Sequence, residues 1–309
     1  MKLYDKVSAV VAELVANGYD ADASTVSVRV PLAVALATRD QAGNVKDRGY
    51  LIEVSDDGHG MTPNEARRYF LEVGRDRRQD PAQGPISPGG RAVMGRKGIG
   101  KLAPFGICRR IEVLSSGATR APDGYVTSHF WLDYDDIMNS RDDRVPLQRG
   151  DQDGRYRPNR GTLIRLSAFH PKRVPDRETF SRQLARRFAL AEAGFSIEVI
   201  DLTVEADDPD RSFAVPSFAV ETLENARIDV DRRPVTGPDD KALPVRGWLG
   251  LAKQAYQNEE MAGVRIYARG KIVATTRDFE LPAGFTGEFT IRSYLVGEIH
   301  AEWLDADDG

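Results

Sequence analysis

The chain has 309 residues, 41% of them hydrophobic and 29% charged, with a formal net charge of −4 and one cysteine. That length allows two modest domains, and the composition is ordinary for a globular protein in water. The acidic balance argues against a broadly basic nucleic-acid surface, a lone cysteine excludes an intramolecular disulfide, and no apolar run is long enough for a signal peptide or a membrane span. A cytoplasmic protein is expected.

Apolar residues at Leu3, Val7, Val10 and Leu14, with Val11 and Val15, recur at helical spacing and predict an amphipathic helix through residues 10–21. Glu13, Asn17 and Asp20 fall on one side of it, bordering the apolar stripe, and the outermost face falls to Asp5, Ala9, Ala12 and Ala16. Two acids and an amide at a core's edge cost free energy unless something satisfies them. Solvation of a helix edge is one answer; a metal ion with a polyphosphate is another. Residues 26–30 and 51–54 read as strands. The second runs into Asp56-Asp57-Gly58-His59-Gly60-Met61, an acid at a sheet edge with glycines that let backbone approach a flat ligand. Thr62, Pro63 and Glu65 then start a helix through a capping box with proline at its first position.

Residues 95–101, GRKGIGK, are dense enough in glycine for backbone N–H groups to converge on an anion ahead of a helix. They nearly match a P-loop, but Leu102 stands where Ser or Thr should hold magnesium, and Pro85, Pro88, Gly89 and Gly90 replace the preceding strand. The P-loop reading is rejected. Cys108, in the run ICRRI, reads as a small core residue. Strands are predicted at 111–114, 127–132 and 162–166, with a charged, Gly- and Pro-punctuated surface loop over 141–160. Beyond Pro171 a helix at 176–193 carries Arg182, Arg186 and Arg187, for which solvation or ion pairing is a simpler account than nucleic-acid contact. Strands at 195–204, 245–253 and 264–274 follow, the last turning at Arg269-Gly270, then a loop at 279–289 and a strand at 293–303. None of the four histidines has the spacing of a metal site, and His59 reads as exposed.

Taken in order, Glu13-x3-Asn17-x2-Asp20, Asp56-x-Gly58-x-Gly60-Met61, Gly95-x2-Gly98-x-Gly100 and Gly161-Thr162 resemble the four nucleotide-binding boxes of the GHKL ATPase superfamily, closest to its chaperone, MutL and MORC branch. The resemblance implies an α+β fold: a GHKL (Bergerat) α/β sandwich with a mixed sheet over residues 1–170, then an α/β transducer-like domain of ribosomal-protein-like fold over 171–309. It implies ATP and Mg2+ as cofactors. Glu13 becomes the general base for the attacking water and Asn17 the magnesium ligand. Asp56, not the variable Asp57, accepts a hydrogen bond from the adenine amine, Gly58 and Gly60 leave room for the base, and Met61 packs on it. Gly98, Ile99, Gly100 and Lys101 surround the phosphates, although Lys101 pointing to solvent stays open. Thr162 bonds near Asp56, and Asp20 anchors the helix end.

Residues 72–94, with Arg75, Arg77 and Arg78, occupy the place of the lid that closes over ATP, although a merely solvated charge run fits the composition as well. Few residues precede the first box, so a phosphoacceptor helix and histidine kinase activity are not expected. The end at Gly309 suggests a chain without its output region. The expected protein is an ATPase that dimerises on ATP binding, without membrane attachment, and acts on DNA or on a protein client. A nucleotide-sensing module without turnover is the alternative.

Overall fold

In a computed structural model the structure describes residues 6–70, 84–95, 100–140, 146–190, 194–236, 242–256, 261–278, 284 and 288–305. The chain divides into two compact units, one of residues 1–184 with 194–215, the other of 185–193 with 216–309.

The first unit is built on helix α1, Val7–Asp20, and strands β1 Thr25–Val30, β2 Ala37–Arg39, β3 Val45–Asp47 and β4 Ile52–Asp56. The short helix α2, Pro63–Glu65, follows behind the expected capping box: Thr62 accepts the Glu65 N–H, and the Glu65 carboxylate accepts the Thr62 N–H at 2.8 Å. After a 3-10 segment, Gly100–Gly106, come β5 Cys108–Ala121, β6 Gly124–Asp133, helix α3 Tyr134–Asn139, β7 Gln148–Arg149, β8 Tyr156–Arg157 and β9 Gly161–Phe169. Helix α4, Arg177–Ala185, then β10 Ser196–Asp201 and β11 Ser212–Ala214 complete the unit.

Nine strands form one mixed sheet in the order β11-β10-β1-β4-β9-β5-β6-β7, with β8 also beside β6. β1 and β10 pair in parallel and the other neighbours antiparallel. One face is apolar: Val26, Val28, Val30, Ile52, Ile111, Val113 and Leu166 are fully buried. The other carries charge in register. Arg29 pairs with Glu53 at 3.0 Å, Glu53 with Arg165 at 2.6 Å, Arg165 with Glu112 at 3.4 Å, and Glu112 with His129 at 2.9 Å. This is the expected sandwich, with α1 against one face of a mixed sheet.

The boundary expected at residue 170 moves to 215. β10 was expected in the second domain, but Ile197 and Val199 are buried and pair beside Val26 and Val28 of β1, extending the same core. The predicted helix at 176–193 ends at Ala185; on it Arg182 lies 3.4 Å from Glu178, and beyond its end Arg186 donates to the Thr275 hydroxyl at 3.2 Å. Cys108 is fully buried, and burial pushes its thiol up to about 12, as befits an inert core residue.

The second unit holds β12 Thr222–Thr236, β13 Ala242–Ala252, β14 Gly263–Ala268, β15 Lys271–Thr276 and β16 Leu295–His300. They form a sheet in the order β12-β13-β16-β14-β15, in which β14 and β16 run parallel. β14 and β15 are the two arms of the strand read as one, joined at the predicted Arg269-Gly270 turn, and a short helix, Glu288–Arg292, begins at the end of the region read as loop. β12 had no counterpart in the sequence reading. No described helix is long and apolar enough to cross a membrane.

Leu166→Ala should lower the unfolding free energy of the first unit by about 2–5 kcal/mol in urea titrations, because it empties fully buried space. Val45→Ala, at a side chain 48% exposed, should change it by less than about 0.5 kcal/mol.

Candidate nucleotide-binding site

Helix α1 organises the site. Ala9, Ala12 and Ala16, expected on its outer face, are instead buried, as are Val10, Val11, Leu14 and Val15. Ser8 donates to Gln183 of α4 at 2.5 Å, and the 3-10 segment Gly100–Gly106 packs along the same helix. After its first turns the helix is therefore closed all round except at Glu13, half-buried, and Asn17, exposed. The polar stripe read as an edge is the helix's one opening.

Gly18 seats this helix on the sheet, since a Cβ there would lie 2.8 Å from Val26 Cγ2 and 3.2 Å from Asp56 Cβ. Asp56 ends β4 directly beneath. Its Oδ1 accepts the N–H of Gly58 at 2.9 Å and of Thr162 at 3.3 Å. Both bonds fall on one oxygen, so Oδ2 has no partner among the described residues. Burial pushes the carboxyl up to about 6, against the pull of those two N–H groups and with a small push from Asp57. Asp57 is oriented differently: although burial opposes it, hydrogen bonds from Ser24 and Thr25 hold its carboxyl below the usual range. Two adjacent aspartates thus differ: Asp57 is held by Ser24 and Thr25, whereas Asp56 keeps one oxygen without a partner among the described residues.

Gly60 has φ +64°, and a Cβ there would sit 1.9 Å from the Ser116 carbonyl oxygen, so no side chain fits. This close approach brings the loop 57–61 against β5. There Ser115 Oγ accepts the Met61 N–H at 2.8 Å and lies 2.9 Å from Thr162 Oγ1. Ser115 was missed in the sequence; its one sign was the hydroxyl pair Ser115-Ser116 directly after the apolar Val113-Leu114. His59 is half-buried rather than exposed: its Nδ1 donates to the Gly60 carbonyl at 2.8 Å, and its Nε2 is buried without a partner among the described residues.

Asp20, 2% exposed, accepts the N–H of Met94 at 2.6 Å and of Gly95 at 2.9 Å, the anchoring role expected of it. Asp22, at φ +62°, accepts the Ser87 hydroxyl and the Gly89 N–H. Arg91 closes the same turn by donating to the Ala23 carbonyl at 2.5 Å, its guanidinium 4.9 Å from the Tyr19 ring centre. Residues 84–95 of the expected lid are therefore fastened to the end of α1, which corrects the reading of 72–94 as one mobile segment. Residues 71–83 lie outside the described residues.

Gly100 opens the 3-10 segment beside Glu13, whose Oε2 would be 3.0 Å from a Cβ at that position. Lys101 is 9% exposed, so it does not extend into solvent. Gly98 and Ile99 lie outside the described residues. The structure thus groups Glu13, Asn17 and Gly100 along one side of α1, and Asp56, Gly58, Gly60, Met61 and Thr162 at the sheet end of the same helix.

Residues 4–152 match the family of histidine kinase-, DNA gyrase B- and HSP90-like ATPases. They are a domain of the GHKL ATPase family. Over 327 aligned residues the chain is 29% identical to a protein of Herpetosiphon aurantiacus provisionally named as the type II restriction enzyme HgiDII. That match covers 99% of this chain and 47% of the other, so the chain spans about half the relative's length.

A GHKL domain binds nucleotide, and the donor set fits one. Among the described residues no group of three or more His, Cys, Asp or Glu could hold a metal by itself. A magnesium ion at Asn17 would take its remaining ligands from phosphate oxygens and water.

Asp56 also makes a pH prediction. Its carboxyl sits above the ordinary 3.8, at about 6, so the folded chain keeps a proton there that the unfolded chain releases. Asp56 therefore costs stability increasingly as pH rises through that window. Asp56→Asn should remove this component, so the difference between mutant and wild-type urea midpoints should grow in the mutant's favour from about pH 4 to about pH 7. A constant difference across that range would refute the assignment.

Proposed function

We propose that the chain binds ATP with Mg2+, hydrolyses it slowly and uses the cycle to switch a dimer between open and closed states. The observation that carries the reading is the Asp56 carboxylate, whose Oδ1 is committed to Gly58 and Thr162 while Oδ2 has no donor among the described residues. Adenine offers an exocyclic N–H at that position and guanine a carbonyl oxygen, so an acceptor here selects ATP over GTP. Met61, with its N–H tied to Ser115, lies along the base. The magnesium ion, when bound, neutralises phosphate charge, and the Asn17 amide oxygen is its protein ligand. Glu13, on the same open stripe and beside Gly100, orients a water and takes its proton as that water attacks the γ-phosphate. Gly98, Ile99, Gly100 and Lys101 border the phosphates, Lys101 supplying positive charge from a desolvated position.

The second unit serves as the transducer of this cycle, with a ribosomal-protein-like fold. The likeness to a protein named as a restriction enzyme favours a DNA-associated role, in a MORC- or MutL-like defence system, over a chaperone role. A cytoplasmic location follows from that role.

Calorimetry with ATP and Mg2+ on wild type, Asp56→Asn and Glu13→Ala tests the core of the proposal. Asp56→Asn should weaken ATP binding at least ~10-fold, the cost of opposing an amine with an amide donor. Glu13→Ala should bind as wild type does and hydrolyse at least ~100-fold more slowly. Equal, negligible turnover in wild type and Glu13→Ala would instead identify a nucleotide-sensing module without hydrolysis. Wild-type ATP affinity should also fall as pH drops below about 6, where Asp56 takes up a proton.

A further inference from the structure

Many arginines of the first unit are already engaged. Arg29 and Arg165 stand in the charged row with Glu53 and Glu112, Arg110 pairs with Asp133 at 3.0 Å, Arg109 pairs with Asp135, and Arg91 and Arg173 donate to backbone carbonyls. Four that are not engaged stand together. Arg120, Arg155, Arg157 and Arg160 are exposed, and their side chains make no hydrogen bond or ion pair with the described residues.

The sheet places them side by side. Arg157 of β8 pairs with Tyr125 of β6, and Arg120 immediately precedes Ala121, which pairs with Gly124 across the β5–β6 hairpin. The contact is close: a Cβ at Gly124 would lie 2.3 Å from the Arg157 carbonyl oxygen. Neighbouring strands are spaced by about 5 Å, so the Arg120 and Arg157 backbones lie roughly 10 Å apart. Arg155 and Arg157 flank Tyr156, itself 50% exposed, at the two-residue spacing that sends side chains to one face of an extended chain. Arg160 follows three residues on.

The acids of the same loop are drawn elsewhere. Asp153 accepts the His129 backbone N–H at 3.1 Å and lies 3.7 Å from Arg149, while Asp151 lies 3.3 Å from His129 Nδ1. Asp123, exposed at the hairpin tip, offsets one of the four positive charges. The result is a local cationic strip on a chain whose net charge is −4.

We infer that this edge of the sheet, Arg120, Arg155, Arg157 and Arg160, docks the phosphate backbone of double-stranded DNA. A guanidinium without an internal partner breaks no ion pair on binding and offers a planar fork of donors to two phosphate oxygens. Such contacts position a duplex without reading its sequence. The acidic remainder of the surface repels DNA and confines docking to the strip. The inference deepens the DNA-associated reading above and rests on it.

The test is fluorescence anisotropy of a labelled DNA duplex with the whole chain, with ATP and Mg2+, across a range of salt. Arg155→Glu/Arg157→Glu/Arg160→Glu should weaken binding at least ~10-fold and flatten the plot of log affinity against log salt by about 3, roughly one unit per lost phosphate contact. Arg48→Glu, exposed but elsewhere on the chain, should leave DNA affinity within about twofold. ATP affinity is measured on the same samples. A triple variant that keeps its ATP affinity and binds DNA as wild type does would overturn the inference, as would a wild type that binds ATP but no duplex. Loss of ATP binding by wild type would count against the proposed function instead, with the DNA comparison still read on its own.

Discussion

The site depends on how one buried carboxylate is satisfied. Asp20 is 2% exposed, and a charge so placed is stable only if donors meet it. It takes them from Met94 and Gly95, so the start of the glycine-rich segment is bound to the end of α1. Asp22 repeats the device two residues later with Ser87 and Gly89. The helix that carries Glu13 and Asn17 is thereby bound at its far end to the segment leading to Gly100. The same helix sits, through Gly18, on the strand that ends in Asp56. The groups proposed for the base and for the phosphates are consequently referenced to a single helix.

Local signals were legible in the sequence and long-range ones were not. The α1 periodicity, the capping box at Thr62 and the turn at Arg269-Gly270 depend on neighbours within a few positions, and each is where the residues say. Asp57 was set apart as the variable position of its box, and its hydrogen bonds do differ from those of Asp56. The placement of β10 was misread because its parallel partner, β1, lies far away in the chain, and parallel pairing leaves no turn between strands to announce it. The outer face of α1 was misread for a related reason. Alanines suit a solvent face as well as a tight interface, and only the packing of α4 and the 3-10 segment decides between them. Ser115 escaped notice because a hydroxyl in a strand has no motif; its role exists only where Met61 and Thr162 converge on it.

Stability and recognition are in tension at Asp56. A carboxyl that burial holds at about 6 is costly in its ionised form near neutrality, and on the function proposed above a ligand N–H at Oδ2 relieves that cost. Glu13 and Asn17 differ from Asp56 in exposure, since both occupy the only unburied stripe of an otherwise enclosed helix.

The row Arg29–Glu53–Arg165–Glu112–His129 has a consequence for assembly of the sheet. A one-residue slip between strands is rejected by the apolar face, which would turn outward. A two-residue slip is not, because it returns apolar side chains to the core: Val54, paired with Ile164, would meet Leu166 or Thr162 instead. Charge removes that ambiguity. In the same slip Glu53 would face Leu163 or Ser167 in place of Arg165, and Arg29 would face Leu51 or Ser55 in place of Glu53. Each partly exposed pair adds little stability, yet together they penalise the one misalignment that hydrophobicity tolerates, acting as a proofreading code for strand order.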